Sequence, residues 1–537
     1  MKNIILGITS VLLLLKSIHA QGPQCQPTIF KSIETSQIVH LDGTLLFTEP
    51  VSTGGLWRSD GTIAGTTKII NSPGYIEFPT KPCILEGYIY FYTAYPALQL
   101  WKTDGSEDGT ALVKEFADAN AIRSLVATNS SVFFLLEGSN YVNKLWKSDG
   151  TESGTMLVAD TDPSNSLSWD PFRLFASSDY VFFHAGTPLT GVEIWKSDGS
   201  SSGTAIIKDI NPGPFDGTYH ILNGTMAELN GKVYFYGGAG NSTGEQGLWE
   251  TNGTESGTQF VQSLGSFSNA IRHGNAIYFS ANDDGAINGN TLYGEELWKS
   301  DGTPDGTFMI KDIRPGNSGS ISSNFNIKGL GSGILFYAND GISGYELWIS
   351  DGSAAGTNLV KDIYSGQASS ANNLYASDIL DGFIYFLANN SLNGNELWAS
   401  DGTTAGTVLV ADIIPGSEGS TPIKFDTFNG NVYFSALPPN AFDNSIYTCG
   451  NFLSADDVAD NEFKVFPNPS NGTIQLRNLP PECTIEVVSA LGIVVASQKT
   501  KSTENSISLG QCSSGLYTLI VRQDNGGIQH QIILIEN

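Results

Sequence analysis

Residues 396–407 read ELWASDGTTAGT, and close copies of this stretch occur seven more times along the chain. Each copy joins a Leu-Trp or Ile-Trp pair to an Asp-Gly or Asn-Gly turn that ends in Gly-Thr. The tryptophans of the eight copies are Trp57, Trp101, Trp146, Trp195, Trp249, Trp298, Trp348 and Trp398. Their mean spacing is about 49 residues, which is typical of a four-stranded propeller blade and too long for most helical repeats. The sequence therefore predicts an all-β, multi-bladed β-propeller.

The repeat around Trp398 shows how one blade is expected to fold. Alternating apolar residues predict strands over 377–380, 383–388, 396–400 and 408–413. The two glycines of the turn after the tryptophan are four residues apart in every copy, whereas the loop between the second and third strands varies from eight residues (48–55) to seventeen (280–296). One end of the propeller is thus constant and the other variable, and we expect function at the variable end.

A ninth, incomplete unit follows the eighth repeat at residues 425–449 and lacks a fourth strand. Residues 28–33 match the pattern of a fourth strand, so we expect the N-terminal strand to complete the last blade and to remove both free sheet edges. We therefore expect nine blades, eight full and one composite. Eight blades with an irregular closure, or two smaller assemblies, are the alternatives. In the composite blade Cys25 and Cys449 would flank a tight turn, which predicts a disulfide between them.

Composition and charge bound the class of protein. The chain has 537 residues, of which 60 are glycine and only 15% are charged, as expected for a turn-rich β protein. Residues 1–20 have the basic start, apolar run and small final residue of a signal peptide. No other segment is apolar for long enough to span a membrane. A net charge of −27 argues against binding to nucleic acid or anionic lipid.

The propeller is expected over residues 21–453, followed by a linker at 454–462 and a small β-sandwich at 463–537. This last segment carries Pro467, Asn468 and Pro469 near its start, Gly492 in its middle, and Gly515 and Tyr517 at the start of a later strand. With these motif residues it resembles the type A C-terminal sorting domain of the type IX secretion system. The resemblance implies a bacterium of the Bacteroidota, contact with the type IX secretion machinery, and a protein that is secreted or attached to the outer cell surface. Cys483 and Cys512 flank the middle strands of the sandwich and are a second candidate disulfide.

The repeats themselves resemble the ELWxxDGT-repeat proteins, over residues 28–450. The copy ELWISDGS at 346–353 is the clearest match. This resemblance supports the propeller and supplies no catalytic residue.

Several residues are candidates for function. Asp283, Asp284, Asn288 and Asp340 lie in variable loops and offer oxygen ligands for Ca²⁺, although turn formation is the simpler role for them. Trp169 and Asp170 form an aromatic and carboxylate pair that suits a sugar ligand.

Other recurrent residues have a structural interpretation. The Lys-Asp pairs, such as Lys311 and Asp312, and the glutamates before tryptophan, such as Glu346, are expected to make contacts between blades. The histidines show no metal-ligand spacing, so zinc catalysis is not expected.

We therefore expect an exported protein that binds a glycan or protein ligand, without an identifiable enzyme site and without a cofactor other than possible Ca²⁺. Two alternatives stay open. A polysaccharide hydrolase or lyase would need carboxylates that converge from different loops. A structural or adhesive surface protein would use its repeats collectively.

Overall fold

The computed structural model describes most of residues 27–535. The segments outside the described residues are 1–26, 34, 36, 50–53, 71–75, 80–81, 96, 161–171, 219–225, 239–244, 284–291, 323–325, 372–373, 375–376, 442, 451–463, 467–472, 478, 480–481, 490–493, 502–504, 510–511, 513–514, 524–527 and 536–537. The signal peptide predicted at 1–20 lies among them. The chain divides into two compact units, Met1–Asn451 and Phe452–Asn537. All of its described elements are β-strands. The described residues contain no helix that could cross a membrane.

The described strands of the first unit form nine antiparallel sheets, which we number as blades 1 to 9. Blade 1 contains β2 (Gln37–Leu41), β3 (Thr44–Thr48), β4 (Leu56–Ser59) and β5 (Thr67–Ile70). Blade 2 contains β6 (Ile76–Glu77), β7 (Cys83–Leu85), β8 (Tyr88–Thr93), β9 (Leu98–Thr103) and β10 (Ala111–Phe116). Blade 3 contains β11 (Ala119–Ala127), β12 (Val132–Gly138), β13 (Asn143–Ser148) and β14 (Met156–Ala159). Blade 4 contains β15 (Phe172–Ser177), β16 (Tyr180–Thr187), β17 (Gly191–Ser197) and β18 (Ala205–Lys208).

Blade 5 contains β19 (Ala227–Leu229), β20 (Lys232–Gly237), β21 (Gly247–Thr251) and β22 (Gln259–Ser263). Blade 6 contains β23 (Ser268–His273), β24 (Ala276–Ala281), β25 (Glu296–Ser300) and β26 (Phe308–Lys311). Blade 7 contains β27 (Lys328–Leu330), β28 (Gly333–Asn339), β29 (Tyr345–Ser350) and β30 (Asn358–Lys361). Blade 8 contains β31 (Ser377–Leu380), β32 (Phe383–Asn389), β33 (Asn395–Ser400) and β34 (Val408–Ala411).

Blade 9 is the composite blade. It contains β35 (Ile423–Phe428), β36 (Asn431–Ala436) and β37 (Ser445–Gly450), and its fourth strand is β1 (Thr28–Lys31) from the N-terminal end. Strand β1 runs antiparallel to β37, with Thr28 opposite Thr448. The edge of β37 is therefore paired rather than exposed.

The core of this unit consists of nine apolar clusters, one between each pair of neighbouring blades. The cluster between blades 9 and 1 contains Phe30, Tyr433 and Ile446 from one side and Leu45 and Phe47 from the other. Successive side chains of a strand point to opposite faces of the sheet. Each blade therefore contributes apolar side chains to the clusters on both of its sides. Because a cluster also joins the last blade to the first, the sheets close into a ring and form a β-propeller.

Lysines at the end of the fourth strand reinforce the contacts between blades. Lys311 Nζ in blade 6 donates a hydrogen bond to Thr357 O in blade 7 at 2.7 Å and lies 5.7 Å from the ring centre of Trp348. Lys208 and Lys361 make the same two contacts with the blades that follow them. The interblade role expected of these lysines is thus observed.

The second unit has two described sheets with seven strands in all. The first sheet contains β38 (Lys464–Phe466), β39 (Thr473–Arg477) and β42 (Asn505–Ser508). The second contains β40 (Cys483–Ser489), β41 (Val494–Thr500), β43 (Gly515–Gln523) and β44 (Ile528–Ile535). One apolar cluster, including Ile474, Ile485 and Leu519, forms the core of this unit.

Candidate functional site: the loop end of the propeller

The two ends of the propeller differ in kind, and the constant end consists of self-contained turns. In blade 8, Gly402 N donates to Ser400 Oγ at 3.0 Å and Thr403 N to Asp401 Oδ1 at 2.8 Å. The bond to the Asp or Asn side chain recurs in all eight copies. Hydrogen bonds from the hydroxyl and then from the amide of the residue two positions later lower the pKa of several turn aspartates, as Thr303 does for Asp301. These carboxylates stabilise their own turns.

At the other end, the loops between the second and third strands are fixed by polar side chains. Asp340 Oδ1 accepts hydrogen bonds from Ile342 N at 2.8 Å and Ser343 N at 2.7 Å. In blade 8, Asn390 Oδ1 accepts from Leu392 N at 3.1 Å and Asn393 N at 2.9 Å. These are Asx-type turns, and they hold the loop tips in one conformation.

A glycine then docks each of these loops onto the connector that leads to the next blade. Gly344 in blade 7 has a positive φ of 72°, and a Cβ atom there would overlap the backbone of Ala368 in the connector. Gly191, Gly294 and Gly394 meet their connectors equally closely. Loop and connector therefore pack as one unit in blades 4, 6, 7 and 8.

Buried glutamates at the start of the third strand hold the connectors. Glu296 accepts four hydrogen bonds, from the amides of Ile313, Arg314 and Ser320 at 3.2 Å each and from Ser320 Oγ at 2.5 Å. Glu346 and Glu396 bind their connectors in the same way. Each glutamate ties the third strand of its blade to the connector that follows that blade. The connector serine that it binds (Ser320, Ser370 or Ser420) in turn accepts a backbone hydrogen bond from the end of the second strand of the next blade, so the contact expected between blades is made through the connector.

Glutamates at this position of the repeat have raised pKa values. Burial raises the pKa of Glu193 to about 8 and the pKa of Glu296 and Glu346 to about 7, although hydrogen bonds from the connectors oppose the shift. All three side chains are fully buried. They are structural groups beneath the loop end and have no access to a ligand.

The predicted Ca²⁺ ligands are only partly within the described residues. Asp283 Oδ2 accepts hydrogen bonds from Leu292 N at 2.8 Å and Tyr293 N at 3.3 Å, so it supports its own loop as Asp340 does. Asp284 and Asn288 lie outside the described residues. Among the residues that are described, no three His, Cys, Asp or Glu side chains form a group able to hold a metal ion. The Ca²⁺ site stays a prediction, and its two described members serve as turn caps.

The predicted sugar-binding pair, Trp169 and Asp170, also lies outside the described residues. Its role stays a prediction.

A polar cluster on the innermost strands was not found from the sequence. His40 Nδ1 on β2 lies 2.8 Å from Asp426 Oδ1 on β35, across the junction of blades 1 and 9. The bond to Asp426 raises the pKa of His40, and burial raises the pKa of Asp426. The charge of Asp378, on the innermost strand of blade 8, adds to both effects. Three neighbouring blades thus contribute one unrepeated cluster, with the His40 side chain half exposed.

The cysteines fall into two groups. Cys449 is buried on β37 and takes part in a disulfide, and because Cys25 lies outside the described residues, the pairing of these two stays a prediction. Cys483 and Cys512 belong to the same core cluster of the second unit, but no disulfide joins them in the structure. The second predicted disulfide is therefore not supported.

The sorting-motif residues are placed only in part. Gly515 begins β43, and Tyr517 of the same strand is buried in the core. Pro467, Asn468, Pro469 and Gly492 lie outside the described residues.

Comparisons with known proteins concern the two units differently. Residues 464–536 match the family model of the secretion system C-terminal sorting domain. No curated protein matches the chain in sequence. BamB from Moraxella catarrhalis is similar in structure, with 14% identity, a TM-score of 0.38, and coverage of 71% of this chain and 98% of BamB.

Two further structures are similar at the same level. The β-propeller domain of the Trilobed protease from Pyrococcus furiosus has 12% identity and a TM-score of 0.34, covering 70% of this chain and 97% of that domain. Puromycin hydrolase has 12% identity and a TM-score of 0.34, covering 79% of this chain and 63% of the hydrolase. The chain thus spans less than two thirds of the hydrolase, and TM-scores below 0.5 carry no argument about activity. Residues 464–536 are a C-terminal sorting domain of the type IX secretion system, which marks the protein for secretion and attachment to the outer cell surface.

Proposed function

We propose that the protein is a recognition module that is displayed at the outer cell surface and binds its ligand through the loop end of the propeller. One observation carries this proposal: the loops at this end differ in length and sequence, yet side chains and connectors fix them in place. The opposite end repeats a single turn eight times. Rigid loops of varied sequence on a constant scaffold are the usual arrangement of a binding surface.

The test is a binding screen with the secreted chain, residues 21–537. We would measure binding to glycan and extracellular-protein panels, with and without Ca²⁺, and assay the glycans for cleavage products. Specific binding without product release is the expected result. Product release would contradict a pure binding role. The absence of binding and of product release on every panel would favour the structural or adhesive alternative.

A polysaccharide-active enzyme is a second candidate, and the cluster of His40, Asp426 and Asp378 favours it. A half-exposed imidazole that is hydrogen-bonded to one carboxylate, with the charge of a second acting on both, has the composition of a general acid–base site. The test compares product release by the unsubstituted protein and by Asp426→Asn, which keeps the shape of the side chain and removes its charge. If the cluster is catalytic, release falls at least about 100-fold. Equal release from both proteins would exclude this role.

A further inference from the structure

The most exposed apolar side chains of the propeller are concentrated at the loop end. Eight large hydrophobic residues within the described part of the chain are more than three-fifths exposed. They are Ile63 (69%), Tyr95 (67%), Tyr141 (66%), Leu189 (80%), Phe215 (62%), Leu292 (66%), Ile342 (72%) and Leu392 (76%). Six of them are at the tips of loops between second and third strands, and Phe215 is in the connector after blade 4. Only Ile63 lies in a turn of the constant end.

The repeat itself specifies these apolar tips. Tyr95, Leu189, Leu292, Ile342 and Leu392 each stand six residues before the tryptophan of their own blade. The loops between second and third strands all leave the blades at the same end of the ring, so the five side chains lie at that end. A position exposed by two thirds or more contributes little to folding, and folding alone gives no reason to keep it apolar in five blades.

The tips are rigid. The amide of the exposed residue itself is bound in four loops: Ile342 N by Asp340, Leu392 N by Asn390, Leu292 N by Asp283 and Leu189 N by Thr187 Oγ1 at 3.2 Å. The docking of Gly344 and its equivalents onto the connectors restrains the same loops. Side chains that are already positioned lose little conformational entropy when a partner covers them.

The charge around the tips is almost entirely negative. In blades 4, 6, 7 and 8 the described loops and connectors carry nine carboxylates and one basic side chain, Arg314. The carboxylates are Asp209, Asp216, Asp283, Glu295, Asp312, Asp340, Asp362, Asp412 and Glu418. A partner that covers the apolar tips must approach these acids closely.

We propose that the apolar tips and the acids between them form a docking surface for a basic polypeptide that carries apolar side chains. This inference rests on the proposed recognition function and names its class of partner. Charge complementarity selects the class. A second copy of the chain would bring a like-charged face, and anionic lipid would also be repelled. A neutral lipid surface would bury the tips but leave the acids without cationic partners.

The test uses a synthetic 20-residue peptide of alternating leucine and lysine as the probe and the secreted chain as the receptor. The triple variant Leu189→Ser, Ile342→Ser, Leu392→Ser removes three tips without changing the net charge. Ile63→Ser is the matched control, because Ile63 is as exposed as the tips but lies at the constant end. Thermal unfolding of each variant checks that these substitutions of exposed residues leave the fold intact.

We expect the unsubstituted protein and Ile63→Ser to bind the peptide equally, and the triple variant to bind it about 10- to 100-fold more weakly. A peptide with serine in place of leucine should bind weakly, and one with glutamate in place of lysine should not bind. Equal affinity of the triple variant, or no binding of the leucine–lysine peptide at all, would overturn the inference. Tip-dependent binding to phosphatidylcholine vesicles without peptide binding would assign the surface to lipid and also overturn it. If the panels of the first screen reveal a ligand whose affinity the triple variant retains, the recognition function stands and this inference fails.

Discussion

Lys31 Nζ, on the N-terminal strand β1, lies 4.3 Å from the ring centre of Trp57 in blade 1. Lys208, Lys311 and Lys361 make the same type of contact with the tryptophan of the next blade. The junction that closes the ring therefore contains the same interaction as three of the junctions inside it, although its lysine and its tryptophan come from blades 9 and 1.

We predict that Lys31→Ala lowers the free energy of unfolding of the propeller by about 1 kcal/mol, because a cation–π contact and its packing are lost. Lys361→Ala should cost a similar amount at an interior junction. Lys501→Ala, in the second unit, is the control that should leave the propeller unchanged. The measurement is the urea midpoint of the propeller transition, and a midpoint for Lys31→Ala equal to that of the unsubstituted protein would contradict the prediction.

The disulfide of Cys449 should make the propeller sensitive to reductant. We expect reduction, or Cys449→Ser, to lower the free energy of unfolding by about 2–5 kcal/mol, since the bond restricts the unfolded chain. Cys83→Ser is the control, because Cys83 is a buried thiol in the core between blades 2 and 3. Thermal unfolding with and without reductant gives the answer. An unchanged midpoint on reduction would rule out a stabilising role.

The second glycine of each constant turn is required because an aspartate, or Asn252 in blade 5, occupies the space beside it. A Cβ atom at Gly406 would overlap the carboxylate of Asp401. We expect Gly406→Ala to destabilise the propeller by about 1–3 kcal/mol. In the Gly406→Ala background, Asp401→Ala should lower the free energy of unfolding by less than it does in the unsubstituted protein, because it also removes the overlap with the new Cβ atom. Strictly additive effects in this double-mutant cycle would show that the two residues are independent.

Stability should fall as pH rises from 5 to 8. In the folded protein burial raises the pKa of Glu193 to about 8 and that of Glu296 and Glu346 to about 7, from an ordinary value of 4.5. Between pH 4.5 and 8 these glutamates hold protons in the folded state that they have released in the unfolded chain. Their contribution to the free energy of unfolding is therefore complete below pH 4.5 and is lost as the pH rises towards 8. We expect a loss of about 2 kcal/mol or more.

The measurement for this prediction is the urea midpoint at pH 5, 6.5 and 8. Glu296→Gln stays neutral throughout and should give a shallower dependence on pH, whatever its effect at a single pH. A midpoint that rises between pH 5 and 8 would show that hydrogen bonds from the connectors outweigh burial.

The repeat made most of the propeller predictable. In blade 8 the strands predicted at 377–380, 383–388, 396–400 and 408–413 differ from the observed strands by at most two residues at any end. Glycine and aspartate punctuate each strand, and local turn chemistry decides their positions. The composite blade followed from the same pattern, because residues 28–31 repeat the alternation of a fourth strand.

The site was harder to predict, because its residues depend on three-dimensional neighbours. His40 and Asp426 are 386 residues apart, and only the closed ring brings them together. The innermost strands contain irregularities at Ser124, Arg173, Asn269 and Lys424, where non-glycine residues have positive φ angles that sequence does not reveal. The apolar tips look like ordinary loop residues until their exposure is known. For Glu346 the sequence predicted a contact between blades but not that Ser370 of the connector would mediate it.

The pairing of Thr28 with Thr448 also sets when the ring can close as the chain is made. A chain that emerges from its N-terminus first presents β1 at the start, yet β1 has no partner strand until residue 448 has followed it. The ring therefore stays open until the whole propeller sequence has been made. The sorting domain begins at residue 464, directly after the closing strand, so the address for the outer surface is completed only once the ring has become able to shut. The order of strands along the chain thus places the sorting domain after the strand that allows the propeller to close.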